Sequence, residues 1–534
     1  MVRTCFTGAI CLLFLVALAP SAASDYPAVR RYIKKGWSGL KRSNATLVKS
    51  AADSKIARPG DVILYVPSTE NPQQITARLK RELVPAEFAK VRVLQLQNAQ
   101  PGQPLPEIPE PGLLYLPKAY VVPGGRFNEM YGWDSYFILL GLFRDGELQL
   151  ARDITDNFIY EVQHYSKVLN ANRTYYLTRS QPPFLTRMLL EVYTRTGDIE
   201  WLAAGLPAAE QYYDYWTREP HLTPATGLSR YYGGAGTPAP EVVSGEKDPS
   251  GKNHYDRVVG YYRTHAVTEY DVSRYFDRAH GGLTPLFYIA DRAMRESGFD
   301  VSGRFGPFSA DILNYNPVDL NCLLYTMEMD IGAICTLLDR PRTARTWFER
   351  GERRAALVNR LMWDAKSGLY FDYNFEKERQ SGYHFITTFY PLWAGIASAE
   401  QASRVAANLP LFERPGGLQT SDVVTGDQWD APFGWAPMQI IAVEGLRRYG
   451  FNEAADRIST RFLSMILRDF ARHGTIVEKY DVVTARSDLA EKVKFGYETN
   501  EIGFGWTNAA FLVLYDEMSP AARSDLLRQA AVQQ

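Results

Sequence analysis

Leu320-Asn321-Cys322-Leu323-Leu324-Tyr325-Thr326-Met327-Glu328-Met329-Asp330-Ile331-Gly332-Ala333-Ile334-Cys335-Thr336-Leu337-Leu338 is the stretch on which the fold turns. Leu320, Leu323, Leu324, Met327, Ile331, Ile334, Cys335 and Leu338 recur at intervals of three and four. That spacing lines one face of an α-helix. Pro317 suits its first turn, and Pro341 falls just past its end, where a missing N–H stops helical pairing. Outward from here the same period returns in Met438, Ile441, Ala442 and Leu446. Further helices are predicted near 148–164, 183–196, 204–217, 283–297, 342–363, 398–408, 453–470 and 504–517. No internal sequence repeat accompanies them. Many helices and few strong strands predict an all-α toroid or solenoid.

Residues 25–100 are mixed, with strand-like runs at Asp61–Val66 and Val91–Leu94. Residues 100–123 are Pro-rich and read as an extended connection running over the surface. Segments 1–23, 24–122 and 123–534 therefore read as a secretory signal, an N-terminal arm with short strands, and the main domain. The signal reading rests on Arg3, the apolar run Ile10–Ala19 and the small residues Ser21-Ala22-Ala23-Ser24. It predicts an exported, periplasmic or secreted protein. An uncleaved anchor is the competing reading of the same run. Cys322 and Cys335 fall in one helix, about 20 Å apart at 1.5 Å per residue, too far to bridge. Buried free thiols are expected.

The 59 Lys and Arg nearly balance 60 Asp and Glu, which argues against nucleic acid or an anionic membrane as the main partner. Hydrophobic content of 46% supplies a sizeable core. Aromatics at 13% favour carbohydrate binding or simply a Tyr-rich core. No Gly-x-Ser-x-Gly, His-Glu-x-x-His or Walker loop is present, and the seven His lack ligand spacing. No metal or organic cofactor is implied.

Two segments mix turn residues, large aromatics and charges: Pro123-Gly124-Gly125-Arg126-Phe127-Asn128-Glu129-Met130-Tyr131-Gly132-Trp133-Asp134-Ser135-Tyr136 and Gln428-Trp429-Asp430-Ala431-Pro432-Phe433-Gly434-Trp435-Ala436-Pro437. Aromatic faces cover the C–H face of a sugar, while Arg and Asp hydrogen-bond its hydroxyls. Three further segments stand out: Asn170–Pro183, Ser297–Phe305 and Val477–Val482. Read alone, each has a plain structural alternative. Asp300 also suits a helix N-cap, Glu478 an exposed Glu beside Lys479, Arg126 and Arg179 surface ion pairs, and Trp429 and Trp435 core packing.

Together these segments closely resemble the signature motifs of the trehalases, the inverting α,α-trehalose glucohydrolases. The resemblance runs from about Pro123 to Glu517 and is weak before residue 110. It implies an (α/α)6 barrel with the active site in the loops at one end. It makes Asp300, in a Ser-Gly-Phe-Asp segment, the general acid and Glu478, in Glu-Lys-Tyr, the general base. It assigns sugar contacts to Arg126, Trp133, Asp134, Asn170, Arg179, Ser180, Gln181, Glu241, Gly298, Trp429, Trp435 and Glu498. The partner implied is a small disaccharide, held by a monomer without stable membrane insertion.

Two positions depart from the family pattern. Where trehalases carry Arg-Pro-Glu, this chain has Ala239-Pro240-Glu241; Arg257 and Arg263 are the candidates to replace the lost guanidinium. The glycine-rich lid is reduced to Lys494-Phe495-Gly496-Tyr497-Glu498. Glu498 matches the lid's Glu only with a one-residue gap; ungapped, Tyr497 takes that place. Hydrolysis of another α-glucoside and an inactive sugar-binding protein are the alternatives to trehalose cleavage.

Overall fold

The computed structural model describes residues 25–55, 62–96, 108, 110–245, 247–248, 250–489, 493–497 and 499–532. The segment read as a leader, residues 100–107 and 109 of the Pro-rich connection, and Glu498 lie outside the described residues; the described part of the connection is buried at 112–116 and 120–123 rather than running over the surface.

The fold is mostly α, and its helices are of two kinds. Gly132–Arg144, Val318–Leu337, Ala436–Arg448 and Gly505–Glu517 bury side chains around most of their circumference. Leu148–Tyr165, Pro341–Met362 and Asn452–His473 bury one stripe and turn charges outward. A helix apolar all round belongs inside; an amphipathic one covers it. Sequence order alternates the two kinds, and Gly132–Arg144 packs on Leu148–Tyr165, Val318–Leu337 on Pro341–Met362, and Ala436–Arg448 on Asn452–His473. The late helix Gly505–Glu517 returns against the early helix Gly132–Arg144. Their approach is close enough that a Cβ on Gly141 would lie 2.7 Å from Ala509 Cα.

The helix expected from Leu320–Leu338 is Val318–Leu337. Pro317 sits at its N-cap rather than in the first turn, and Pro341 opens the next helix at its first turn. Cys322 and Cys335 are buried and unbridged. Among the described residues no helix is long and apolar enough to cross a membrane.

The N-terminal residues are less extended than their composition suggests. Asp25–Leu40 is a helix because Val29, Ile33 and Trp37 recur every fourth residue and bury one stripe. Val62–Val66 is the middle strand of a three-stranded parallel sheet, between Val91–Gln95 and Leu113–Leu114. The helix Pro72–Glu82 makes the crossover that a parallel pair requires.

Candidate active site

The N-terminal ends of three of the four buried helices, Gly132–Arg144, Ala436–Arg448 and Gly505–Glu517, converge on one cavity of about 150 Å³. Trp133 and Asp134 occupy the first turn of Gly132–Arg144, Trp435 is the N-cap of Ala436–Arg448, and Trp506 stands in the first turn of Gly505–Glu517. Ser297–Asp300 leaves the C-terminal end of the helix Pro285–Glu296. A two-strand pairing of Phe433–Trp435 with Lys479–Asp481 sets the second Trp-Asp segment beside Glu478.

Aromatic side chains form the floor. Trp429 and Trp435 stack with centroids 4.0 Å apart and planes 6° off parallel. Trp133 meets Trp429 at 5.7 Å and Phe299 edge-on at 5.4 Å. Trp506 stands edge-on to Trp435 at 5.7 Å. Such pairs add rigidity beyond the area they bury. Trp429 and Trp435 therefore combine both sequence readings: they are core-packed and they line the cavity.

Asp300 turns about a third of its side-chain surface toward the opening. Desolvation in the cleft raises its pKa to about 6, against the pull of the Arg295 and Arg179 charges. Arg295 Nη1 lies 3.4 Å from Asp300 Oδ2, and the same guanidinium forks onto Asp291 at 3.0 and 3.2 Å. Asp300 is thus not a helix N-cap. Its loop is tied to the second Trp-Asp segment: Trp429 N donates to Val301 O at 3.0 Å, and Gly303 N to Asp430 Oδ2 at 2.7 Å.

Glu478 is buried, not the exposed residue that its sequence context alone suggests. Burial pushes its pKa up to about 7, with Lys479 and the Tyr497 hydrogen bond pulling the other way. Tyr497 Oη donates to Glu478 Oε1, while Oε2 is buried without a hydrogen-bond partner. Lys479 Nζ lies 3.9 Å from that Oε2 and 3.6 Å from the Tyr497 ring centroid. Gln428 stands between the two carboxyl segments. Its Nε2 donates to Asp300 O, and its Oε1 accepts from Lys479 Nζ at 3.1 Å and Tyr497 N at 3.3 Å.

Asp134 is buried in the same cavity, its pKa raised well above the usual range by desolvation first and then by the Glu478 and Asp300 charges. Arg179 and Glu241 form a buried ion pair at 2.7 Å, with Arg179 Nε and Nη1 and Glu241 Oε2 lacking partners. Buried polar atoms left unpaired at a cavity wall are costly unless something met there satisfies them. Arg126 lies over the Tyr497 ring at 5.0 Å. Asn170 and Gln181 also line the cavity, Gln181 Oε1 accepting from Trp133 N at 3.0 Å.

One expectation changes on contact with the structure. Ser180 is outside the cavity: its hydroxyl donates to Val168 O at 2.5 Å and shares a hydrogen bond with Tyr212 Oη, because alternate residues of that loop face the core. Gly298 lines the cavity; with φ +78°, a Cβ there would meet the Trp133 ring at 2.7 Å, so its lack of a side chain also seats the indole. Glu498 lies outside the described residues, and Tyr497 is the lid residue in the cavity.

Ala239 is fully buried, its amide donating to Tyr255 Oη at 3.0 Å. Of the two candidate replacements, Arg257 lines the cavity and Arg263 donates to Gly281 O elsewhere. Sequence reasoning missed Arg295, His254, Gln428 and Tyr497 as lining groups. Burial lowers the pKa of His254 to about 3, so the ring is neutral. Arg295 had a signal: it ends the helix that leads into Asp300.

Fold and cleft together define a mostly-α protein with a carboxyl- and guanidinium-lined cavity at the N-terminal ends of three of its buried helices. A family model described as Trehalase matches residues 65–519. The cytosolic neutral trehalase of Kluyveromyces lactis is 37% identical over 444 residues, covering 76% of this chain and 57% of that protein. A probable trehalase of Saccharomyces cerevisiae is 35% identical, covering 92% of this chain and 69% of that protein. The solved neutral trehalase Nth1 from Saccharomyces cerevisiae superposes with a TM-score of 0.76 at 33% identity, covering 95% of this chain and 96% of that one. The chain belongs to the trehalase family. It spans a little over half the length of the cytosolic relatives it matches.

The relatives named cytosolic neutral trehalases, from Kluyveromyces lactis, Neurospora crassa, Saccharomyces cerevisiae and Pyricularia oryzae, overturn the expectation of an exported, periplasmic or secreted protein with a signal at 1–23. That reading rested on a short apolar run after one Arg, and the run lies outside the described residues.

Proposed function

We propose that this protein hydrolyses α,α-trehalose to two glucose molecules in a single inverting displacement. The observation that carries the reading is that Asp300 and Glu478, from distant segments, line one small cavity, each with its pKa raised toward neutrality. Asp300 donates its proton to the bridging oxygen as the C1–O bond breaks. Glu478 takes a proton from the water that forms the new C1–O bond on the opposite face. The net change is one water and one trehalose to one α- and one β-glucose. Arg295 offsets the charge that Asp300 acquires, and the free Oε2 of Glu478 is the acceptor for the water proton.

With values near 6 and 7, the pair is singly protonated between them, and Glu478 keeps its proton to the higher pH. The productive arrangement is the one with the proton on Asp300. A bell-shaped pH profile centred between those values follows.

Arg126, Asp134, Asn170, Arg179, Gln181 and Glu241 hold the sugar hydroxyls in this reading, over Trp133, Trp429 and Trp435. The alternation of inner and outer helices, and the return of Gly505–Glu517 onto Gly132–Arg144, support an (α/α)6 toroid within a catalytic domain of residues 123–534, against which the described residues of 24–122 pack. Ala239 favours a second reading, cleavage of a different α-glucoside, because the cavity lacks a guanidinium at that position.

Early proton NMR of the products tests both. Equal initial α- and β-glucose from trehalose is the expected result. Only α-glucose at early times overturns inversion, and cleavage of another α-glucoside without trehalose cleavage selects the second reading.

A further inference from the structure

A second cleft, of about 520 Å³, lies on the outer surface and shares no lining residue with the cavity of Asp300 and Glu478. Arg461, Arg468 and Arg472 line it from one face of the helix Asn452–His473, and Arg486 lines it from the turn after the strand Lys479–Asp481. The spacing of these helical arginines, seven and then four residues, is what brings them to one side. Arg461 is paired with Glu413 at 3.2 Å. Arg468, Arg472 and Arg486 make no ion pair among the described residues. Burial and the neighbouring Arg472 charge both pull the Arg468 pKa below its usual value, the mark of cations held close together.

One feature beyond charge points to a ligand. Ser464 lines the same cleft with its side chain 2% exposed and its hydroxyl without a hydrogen-bond partner. The turn that presents Arg486 is built rather than loose. Asp481 Oδ1 accepts from Val483 N and Thr484 N at 2.9 Å each, and Asp481 and Arg486 exchange both backbone hydrogen bonds. Ala485 is held at φ +54°, a conformation that costs a non-glycine residue energy and persists only where its surroundings impose it.

We infer that this cleft, formed by Arg461, Ser464, Arg468, Arg472 and Arg486, is a binding site for a small phosphate-bearing anion. A lone carboxylate satisfies one guanidinium fork. A tetrahedral dianion presents enough acceptors for several forks and a hydroxyl at once. A concave cleft in a chain of net charge −1 fits a small anion better than a polynucleotide, which needs an extended basic stripe. The inference is independent of the reaction assigned to Asp300 and Glu478.

Isothermal titration of the full chain with inorganic phosphate and with pyrophosphate, at ionic strength fixed with chloride, tests it. Saturable binding that weakens at least tenfold in R468S/R472S, and again in R486E, is the expected result. Trehalose turnover at the wild-type rate in the same variants certifies their fold. Flotation with phosphatidylglycerol and phosphatidylcholine vesicles separates a free anion from a lipid headgroup. No saturable binding of either probe overturns the assignment. So does equal affinity in wild type and variants, and so does binding to anionic vesicles alone.

Discussion

The Tyr497 hydroxyl donates a hydrogen bond to Glu478 Oε1, and the sister oxygen Oε2 is left buried without a hydrogen bond, with Lys479 Nζ 3.9 Å away. One oxygen of the proposed base is anchored while the other is kept for chemistry. Tyr497→Phe removes the anchor without changing the ring that Lys479 and Arg126 pack against. That hydrogen bond lowers the Glu478 pKa, so its loss pushes the group above about 7. The pH–rate limb near 7 should move to higher pH, and kcat should fall about tenfold for a bond worth about 1.4 kcal/mol. An unchanged profile would show that the contact is only structural.

Asp300→Asn and Glu478→Gln each remove a proton-transfer group while preserving shape. Turnover of trehalose should drop by about 10²–10⁴-fold in each. Sugar binding, followed by the fluorescence of the Trp133, Trp429, Trp435 and Trp506 cluster, should persist. Either variant turning over at the wild-type rate would remove that residue from the mechanism.

Arg257 is the cavity guanidinium nearest in role to the one that Ala239 lacks. Its Nη1 donates to Lys494 O at 2.8 Å, and its Nε is buried without a partner. Arg257→Ala should raise KM for trehalose about tenfold or more, in line with a charge-assisted bond of about 1.5–3 kcal/mol, with a smaller change in kcat. Steady-state kinetics that leave KM unchanged would exclude Arg257 from sugar binding.

Gly298→Ala places a Cβ at φ +78° and 2.7 Å from the Trp133 indole. Both effects act in one direction, so the variant should lose more than about 1 kcal/mol in denaturant unfolding. Turnover should fall with it, because Trp133 cannot keep its place against Trp429. A wild-type denaturation midpoint would contradict the close packing.

Glu161 gives a pH signature unrelated to catalysis. It is buried, one oxygen accepting from Leu169 N at 2.9 Å and the other unpartnered, and burial raises its pKa to about 8. A carboxyl whose folded pKa lies above its unfolded value stabilises fully below the unfolded value. That contribution is lost as pH rises to the folded value, at about 1.4 kcal/mol per pH unit. Between about 4.5 and 8 the wild-type melting temperature should therefore decline more steeply than that of Glu161→Gln.

Legibility in the sequence followed the range of the interactions. The helix Val318–Leu337 was readable because its signal, a three- and four-residue period, lies entirely within its own residues. The candidate carboxyls were readable only through motif resemblance, since nothing local to Glu478 announces that it is buried. Ser180 shows the limit of that route: a linear match says that a loop is present and not which of its side chains faces inward. Tyr497 and Gln428 were missed because their partners, Glu478 and Asp300, come from other segments. The helix Asp25–Leu40 was not legible because only Val29, Ile33 and Trp37 carry its period, within a stretch of mixed composition.

Gln428 reaches Asp300 with its amide nitrogen and Lys479 and Tyr497 with its amide oxygen. The gap between two catalytic carboxyls decides whether a glycosidase inverts or retains. In this protein Gln428 ties the backbone that carries Asp300 to the neighbours of Glu478, so the two segments are held in one register by a single amide.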